Sequence, residues 1–298
     1  MTKTLGVVPI GMLILAAVIY ALVFPMNSMA SAAGATPLGN AFWQTLVGGL
    51  ALLIVSTLRG APVSFRWPYL RAYLVVGIFG FGLPPAIITL VSAHLPSGLI
   101  SLAFALSPTC TYALSVIVRL DRFSTFGLVG IALGFAGVAV ILAPEESGIG
   151  ADQLLWFLLT LIIPLLLAIT NVAAAVLRPP ATTSTVMGAG FLLGAAISTF
   201  PLMLAFGQFY VPDTLDTLTP TLGAAAVNAV FIVLFAEIVN RYGPTFFAQF
   251  NYLMVVAAIG WGALFFGEAT GLYTWIALAL MAAGVLISEL RHRNSETV

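Results

Sequence analysis

The chain reads as an all-α integral membrane protein, with ten transmembrane helices in two inverted five-helix repeats around a central cavity. Three observations predict this. Of its 298 residues 61% are hydrophobic and only 7% charged, where a soluble domain carries about 25% charge; the mean hydropathy is +1.13. Apolar runs recur along the chain, each near the ~20 residues that cross a bilayer. All ten Lys and Arg fall in alternate connections between those runs.

The first run, Leu5–Met29, follows Lys3. Ala30-Ser31-Ala32 looks like a signal-peptide cleavage site, but the apolar run exceeds the roughly 7–15 residues of a signal h-region, so it is read as a retained span. Tyr20, Phe24 and Asn27 fall together on it, and Pro25 interrupts it. The second run is Pro37–Leu58. The third, Tyr69–Ala93, places Phe81, Pro85, Ile88 and Ser92 on one face and ends beside His94. The fourth, Pro96–Arg119, is uncharged from Pro96 to Val118, yet its middle holds Ser107, Pro108, Thr109 and Thr111. Proline frees a backbone carbonyl there, and hydroxyls can satisfy it. Two readings stand: a kink packed on neighbours, or a helix lining a cavity. Ser101, Phe104, Pro108 and Thr111 share a face, with Tyr112 beside them. The lone cysteine, Cys110, sits inside this span and makes neither an intramolecular disulfide nor a metal cluster.

Thr125–Leu142 is the fifth run. A polar joint follows at 144–152, with Glu145, Glu146 and Asp152. Gln153–Val176 carries Trp156, Thr160, Pro164 and Asn171. Thr183–Phe206 is next. Leu218–Asn240 carries Ala224, Asn228, Phe231 and Phe235. Pro244–Gly267 carries Thr245, Gln249 and Tyr252, with Asn251 beside them. Gly271–Leu290 is the tenth.

Lys3, Arg59, Arg66, Arg71, Arg119, Arg122, Arg178, Arg241, Arg291 and Arg293 all lie on one side of this arrangement. The opposite connections, around Ser31, His94, Glu145, Asp213 and Glu268, hold none. The positive-inside pattern places both termini in the cytoplasm. A shift of 147 residues carries Asp121 onto Glu268, Ser97 onto Pro244, and Ala136-Gly137-Val138 onto Ala283-Gly284-Val285. Five spans per half is an odd number, so the two halves run in opposite senses, as in secondary transporters. The expected units are a first repeat at 1–143, an external linker at 144–152, a second repeat at 153–290 and a cytoplasmic tail at 291–298.

Missing residues narrow the chemistry. No Lys or Arg lies at mid-membrane, so a phosphate or nucleotide-sugar substrate lacks a counter-charge. No Asp or Glu lies there either; Glu237 precedes Arg241 by four and pairs with it. An intramembrane enzyme would need a nucleophile with its base, or metal ligands, and neither pattern is present. No cofactor is expected. Zero net charge without a basic patch argues against nucleic acid. A neutral or zwitterionic small molecule with an apolar side chain fits best, its side chain held by aromatic walls and its polar ends by amides, hydroxyls and freed backbone groups. The expected lining is Tyr20, Asn27, Phe81, Ser101, Phe104, Ser107, Thr111, Tyr112, Trp156, Asn171, Asn228, Phe231, Gln249, Asn251 and Tyr252. Asn228 has two readings, a tie between two helices or a cavity residue. His94 has two as well, a surface residue or a gate that titrates near neutrality. Pro25, Pro85, Pro108 and Pro164 are the expected hinges. Without a carboxylate relay, movement is expected to be facilitated rather than proton-coupled.

Several motifs add a resemblance. Tyr20-Ala21-Leu22-Val23-Phe24-Pro25-Met26-Asn27 resembles the first-span aromatic and Asn-containing motif of the drug/metabolite transporter superfamily, in its EamA-domain branch. Leu106-Ser107-Pro108 followed by Asp121-Arg122-Phe123-Ser124 resembles its proline and acidic-Arg-hydrophobic-Ser turn, and Phe266-Gly267-Glu268 its second Gly-Glu turn. Three positions depart from the pattern: Val255 replaces a second-half proline, Gln44 stands where Arg is frequent, and Asp121 replaces Glu. Within the superfamily the chain is most similar to the YddG-type exporters of aromatic amino acids. That likeness implies export of aromatic and other hydrophobic amino acids across a bacterial inner membrane, with membrane lipid as surroundings and an oligomeric state that it does not fix.

Overall fold

The computed structural model describes residues 7–120, 123–142, 151–177, 182–242, 247 and 250–295. Among these the regular structure is helical throughout. Hydrocarbon offers no partner to a backbone N–H or C=O, so a chain this apolar pairs them within helices. Among the described residues seven helices are long and apolar enough to cross a membrane: α1 (Val8–Ala32), α2 (Pro37–Leu58), α3 (Trp67–Val91), α4 (Ser97–Ile117), α6 (Gln153–Val176), α7 (Ser184–Ala205) and α8 (Leu215–Tyr242). Three further apolar helices, α5 (Thr125–Leu142), α9 (Phe250–Phe266) and α10 (Leu272–Ser295), each adjoin residues outside the described set. The protein is a multi-pass membrane protein. Most helix bounds differ from the sequence reading by a few residues. Helix α8 begins at Leu215 rather than Leu218, and Ala151 and Asp152 are helical rather than part of the joint. Asp216 falls in the first turn of α8, where the helix dipole favours an acid.

Helix α2 opens on Pro37 and α3 on Trp67-Pro68; a first-turn proline lacks only an N–H that had no partner anyway. Helices α2 and α7 close alike. Gly60 and Gly207 take φ of +70° and +63°, and the following N–H groups, of Ala61 and Gln208, bond the carbonyls of Ser56 and Met203. Glycine supplies that left-handed turn without a Cβ clash. Both helices have 22 residues. Their starts (37 and 184), ends (58 and 205) and closing glycines (60 and 207) are each 147 residues apart, and so are the starts of α5 and α10 (125 and 272).

Packing follows the same correspondence. Helix α2 packs on α7, and α5 on α10. Several other contacts have a counterpart when α1 is exchanged with α6, α2 with α7, α3 with α8 and α4 with α9. Thus α1 packs on α9 and α6 on α4; α2 on α8 and α7 on α3; α1 on α8 and α6 on α3; α2 on α3 and α7 on α8.

Four spans are irregular, each just before one of the expected hinge prolines. Helix α1 breaks between Ala21 and Val23, ahead of Pro25. Helix α3 holds a π-turn at Ile78–Gly82 ahead of Pro85. Helix α4 tightens to a 3-10 turn at Ala103–Leu106 ahead of Pro108. Helix α6 breaks between Thr160 and Ile162 ahead of Pro164. The cause is common: a proline cannot bond the carbonyl four residues back, and its ring presses on that carbonyl.

The bundle has two unlike ends. Arg59, Arg66, Arg71, Arg119 and Arg241 sit at one. His94, Asp213, Asp216 and Glu268 sit at the other, joined by contacts among the loops there.

Candidate functional site

Six fully buried polar side chains form a connected chain between the arginine-poor end and mid-bundle. Asn27 of α1 donates Nδ2 to the Val23 carbonyl at 2.6 Å. Its Oδ1 accepts from Asn40 Nδ2 (2.9 Å), from Gln44 Nε2 (3.1 Å) and from the Thr89 hydroxyl (2.8 Å). Thr221 of α8 donates to Asn40 Oδ1 at 3.0 Å, and Asn228 Nδ2 donates to Gln44 Oε1 at 3.1 Å. All six are at most 1% exposed. Helical spacing builds the chain: Asn40 and Gln44 lie four apart, Thr221 and Asn228 seven apart, each pair on one face. One atom is left over: Asn228 Oδ1 is buried and has no hydrogen-bond partner among the described residues.

An aromatic cluster adjoins the amide chain. Phe231 lies one turn beyond Asn228. Its ring centroid is 4.0 Å from that of Tyr20, 5.0 Å from Phe250 and 6.2 Å from Phe235. Phe247 stacks on Phe250 at 4.8 Å and meets Phe235 edge-on at 4.7 Å. Phe24 and Phe104 meet edge-on at 5.2 Å nearby. Tyr20, Asn27, Asn228 and Phe231, singled out in the sequence, therefore converge from α1 and α8, with Phe104 close by. Phe81 is half-buried and packs against both large apolar cores.

The remaining expected residues spread further. Ser101 bonds the Gly98 carbonyl within α4, and Ser107 is buried in the same helix. Asn171 donates to Thr111 Oγ1 at 3.0 Å, joining α6 to α4 nearer the arginine-rich end. Tyr112 turns to the start of α5, where its hydroxyl accepts the Ser124 N–H at 3.0 Å. Tyr252 donates to the Met281 carbonyl on α10 at 3.4 Å. Asn251 is half-buried on α9. Gln249 lies outside the described residues, as does Thr245. The sequence reading passed over Asn40, Thr89 and Thr221 as site residues and noted Gln44 only as a departure; the signal was the four-residue repeat of amides on α2.

The arginine-poor end is closed by contacts across the two halves of the chain. Glu268 accepts from the N–H of Ser97 (2.7 Å), the Ser97 hydroxyl (3.0 Å) and the N–H of Gly98 (3.1 Å), capping α4. A Cβ at Gly262 would collide with that carboxylate, so glycine makes the room. His94 stacks on Trp156 with centroids 3.7 Å apart and planes 9° apart, and Gln153 donates to the His94 carbonyl. The Gln208 side chain accepts the Leu38 N–H at 2.9 Å, and Trp43 donates to the Tyr210 carbonyl at 2.8 Å. Burial pushes the Tyr210 phenol above its usual pKa, while its hydrogen bond with Thr221 acts the other way. Toward the opposite end α4 and α6 loosen: every residue from Ser101 to Ser107 is buried, and none from Cys110 to Leu120 is. Glu237 and Arg241 pair there, as expected. Among the described residues no group of His, Cys, Asp and Glu could hold a metal ion.

Comparison with known proteins agrees with this architecture. Residues 8–143 match the model of the EamA-like transporter family. A 123-residue stretch is 33% identical to YvbV, an uncharacterized transporter of Bacillus subtilis (strain 168), covering 41% of this chain. The match spans only 39% of that relative's length. One solved crystal structure has the same fold, with a TM-score of 0.62 at 20% identity over 95% of this chain and 97% of the other. The first half of this multi-pass membrane protein, residues 8–143, is thus similar to the EamA-like transporter family.

Proposed function

We propose that the chain is an alternating-access exporter of small neutral or zwitterionic metabolites, foremost aromatic and other hydrophobic amino acids. The observation that carries this is the junction at Asn228 and Phe231, where a buried amide chain meets an aromatic cluster. A zwitterion with an apolar side chain needs both surfaces side by side. None of the six polar members of the chain is charged, which suits a substrate of no net charge. The paired packing supports two inverted repeats, at 1–143 and 153–290. Such repeats rock about a central site. The narrower kinship with YddG-type aromatic amino acid exporters belongs to the same proposal, as do a bacterial inner membrane and cytoplasmic termini.

The test is counterflow in proteoliposomes preloaded with unlabelled amino acids. Preloaded phenylalanine is expected to draw in labelled phenylalanine, at the same initial rate with and without an imposed pH gradient. Absence of exchange across the whole amino-acid panel contradicts the substrate class. Exchange that requires the gradient contradicts uncoupled movement.

A further inference from the structure

The amide chain has a direction, and the direction dictates what its free end can bind. The Val23 carbonyl can only accept, so Asn27 must present Nδ2 to it and Oδ1 to its other neighbours. Gln44 must then meet Asn27 Oδ1 with Nε2, which leaves Oε1 toward α8. Asn228 must meet Gln44 Oε1 with Nδ2, and its Oδ1 becomes the free end. Reversing Asn228 would set two acceptors against each other. The polarity fixed at one helix of the first half is therefore carried over three amides to α8.

We propose that Asn228 Oδ1 is the anchor for a hydrogen-bond donor of the transported molecule, an ammonium or other N–H group, and that the carrier recognises this end of its substrate separately from any carboxylate. This rests on the reading of the Asn228–Phe231 junction as the substrate site. A buried acceptor without a partner is a standing cost, so a ligand that supplies the donor gains free energy that one supplying only a carboxylate does not. The carboxylate, an acceptor, would face another acceptor. Phe231 and Tyr20, adjoining along α8 and α1, would take the apolar part of the same molecule.

Three probes separate the ends: phenylalanine, phenethylamine (ammonium without carboxylate) and 3-phenylpropionate (carboxylate without ammonium). Binding of each is measured directly on the purified full-length chain, and phenylalanine counterflow is run in parallel. In the wild type phenethylamine is expected to bind at least about tenfold more tightly than 3-phenylpropionate, the ratio expected from one hydrogen bond to a charged group. Asn228→Leu should weaken phenylalanine and phenethylamine by about tenfold and leave 3-phenylpropionate unchanged. Gln44→Leu is the control for folding. It keeps Asn228 but frees its amide to turn, so the tenfold preference for the amine should shrink toward unity, an effect that general damage to the fold does not produce. Equal binding of the two truncated probes in the wild type overturns the proposal. So does an equal loss for all three in Asn228→Leu, or an unchanged preference in Gln44→Leu. Counterflow that proceeds while these ratios fail overturns this inference alone. No binding of any probe together with no counterflow overturns the substrate reading along with it.

Discussion

Glu268 shows how much one side chain can settle. Its carboxylate takes three donors at the start of α4 from a position 171 residues away, so it ties the second half of the chain to the first. A helix start offers unpaired N–H groups and a partial positive charge, and a carboxylate answers both. Glu268→Gln keeps the size but brings an NH2 against those donors. It should weaken closure at this end by about 1–2 kcal/mol, the lower range for a charged hydrogen bond because the group is only partly buried. The check is a cysteine at Ile259, which packs beside Gly98, in a Cys110→Ala background. Its reaction with an impermeant thiol reagent should quicken several-fold in Glu268→Gln; an unchanged rate removes Glu268 from the closure. The 147-residue shift relates Glu268 to Asp121 and Ser97 to Pro244, but it did not foretell that Glu268 meets Ser97. Asn40, Thr89 and Thr221 were harder to see. A lone amide or hydroxyl in an apolar run is ambiguous, and only the meeting of α1, α2, α3 and α8 turns six of them into one chain.

At the scale of elements, the four prolines chosen from the sequence each follow an irregular turn of their helix. That much was legible because the chemistry is local: proline denies a bond to the carbonyl four residues before it wherever the helix lies. Pro201 and Pro220 lie inside α7 and α8 without a break, so a proline alone does not decide the outcome. Whether the breaks serve as hinges is a question of rates. In α4, Pro108→Ala would restore a bond to the Phe104 carbonyl and draw the 3-10 turn toward regular helix. Counterflow is expected to slow about tenfold, the effect of ~1.4 kcal/mol on a barrier, at unchanged expression. An unchanged rate would make the kink a packing feature only. The start of α5 at Thr125 was legible too, because the apolar run begins there.

For the whole molecule, composition and charge placement were enough to foresee a helical membrane protein, since both are sums over many residues and survive errors at any one. The exchange of packing partners between α1–α4 and α6–α9 could not be read from the weak 147-residue similarity; it depends on which faces meet. That packing leaves the arginine-poor end tied by Glu268, Gln208 and the His94–Trp156 stack, with α4 and α6 less buried toward the opposite end. In the proposed alternating access the Asn228–Phe231 junction opens to each side in turn. The most direct measurement is a single cysteine at Phe231, in the Cys110→Ala background, treated with a membrane-impermeant thiol reagent from one side of sealed vesicles and then from the other. Labelling from both sides, slowed by phenylalanine, is the predicted result. Labelling from neither side would mean a sealed packing core, and labelling from one side alone, unaffected by phenylalanine, would contradict alternating access at this junction.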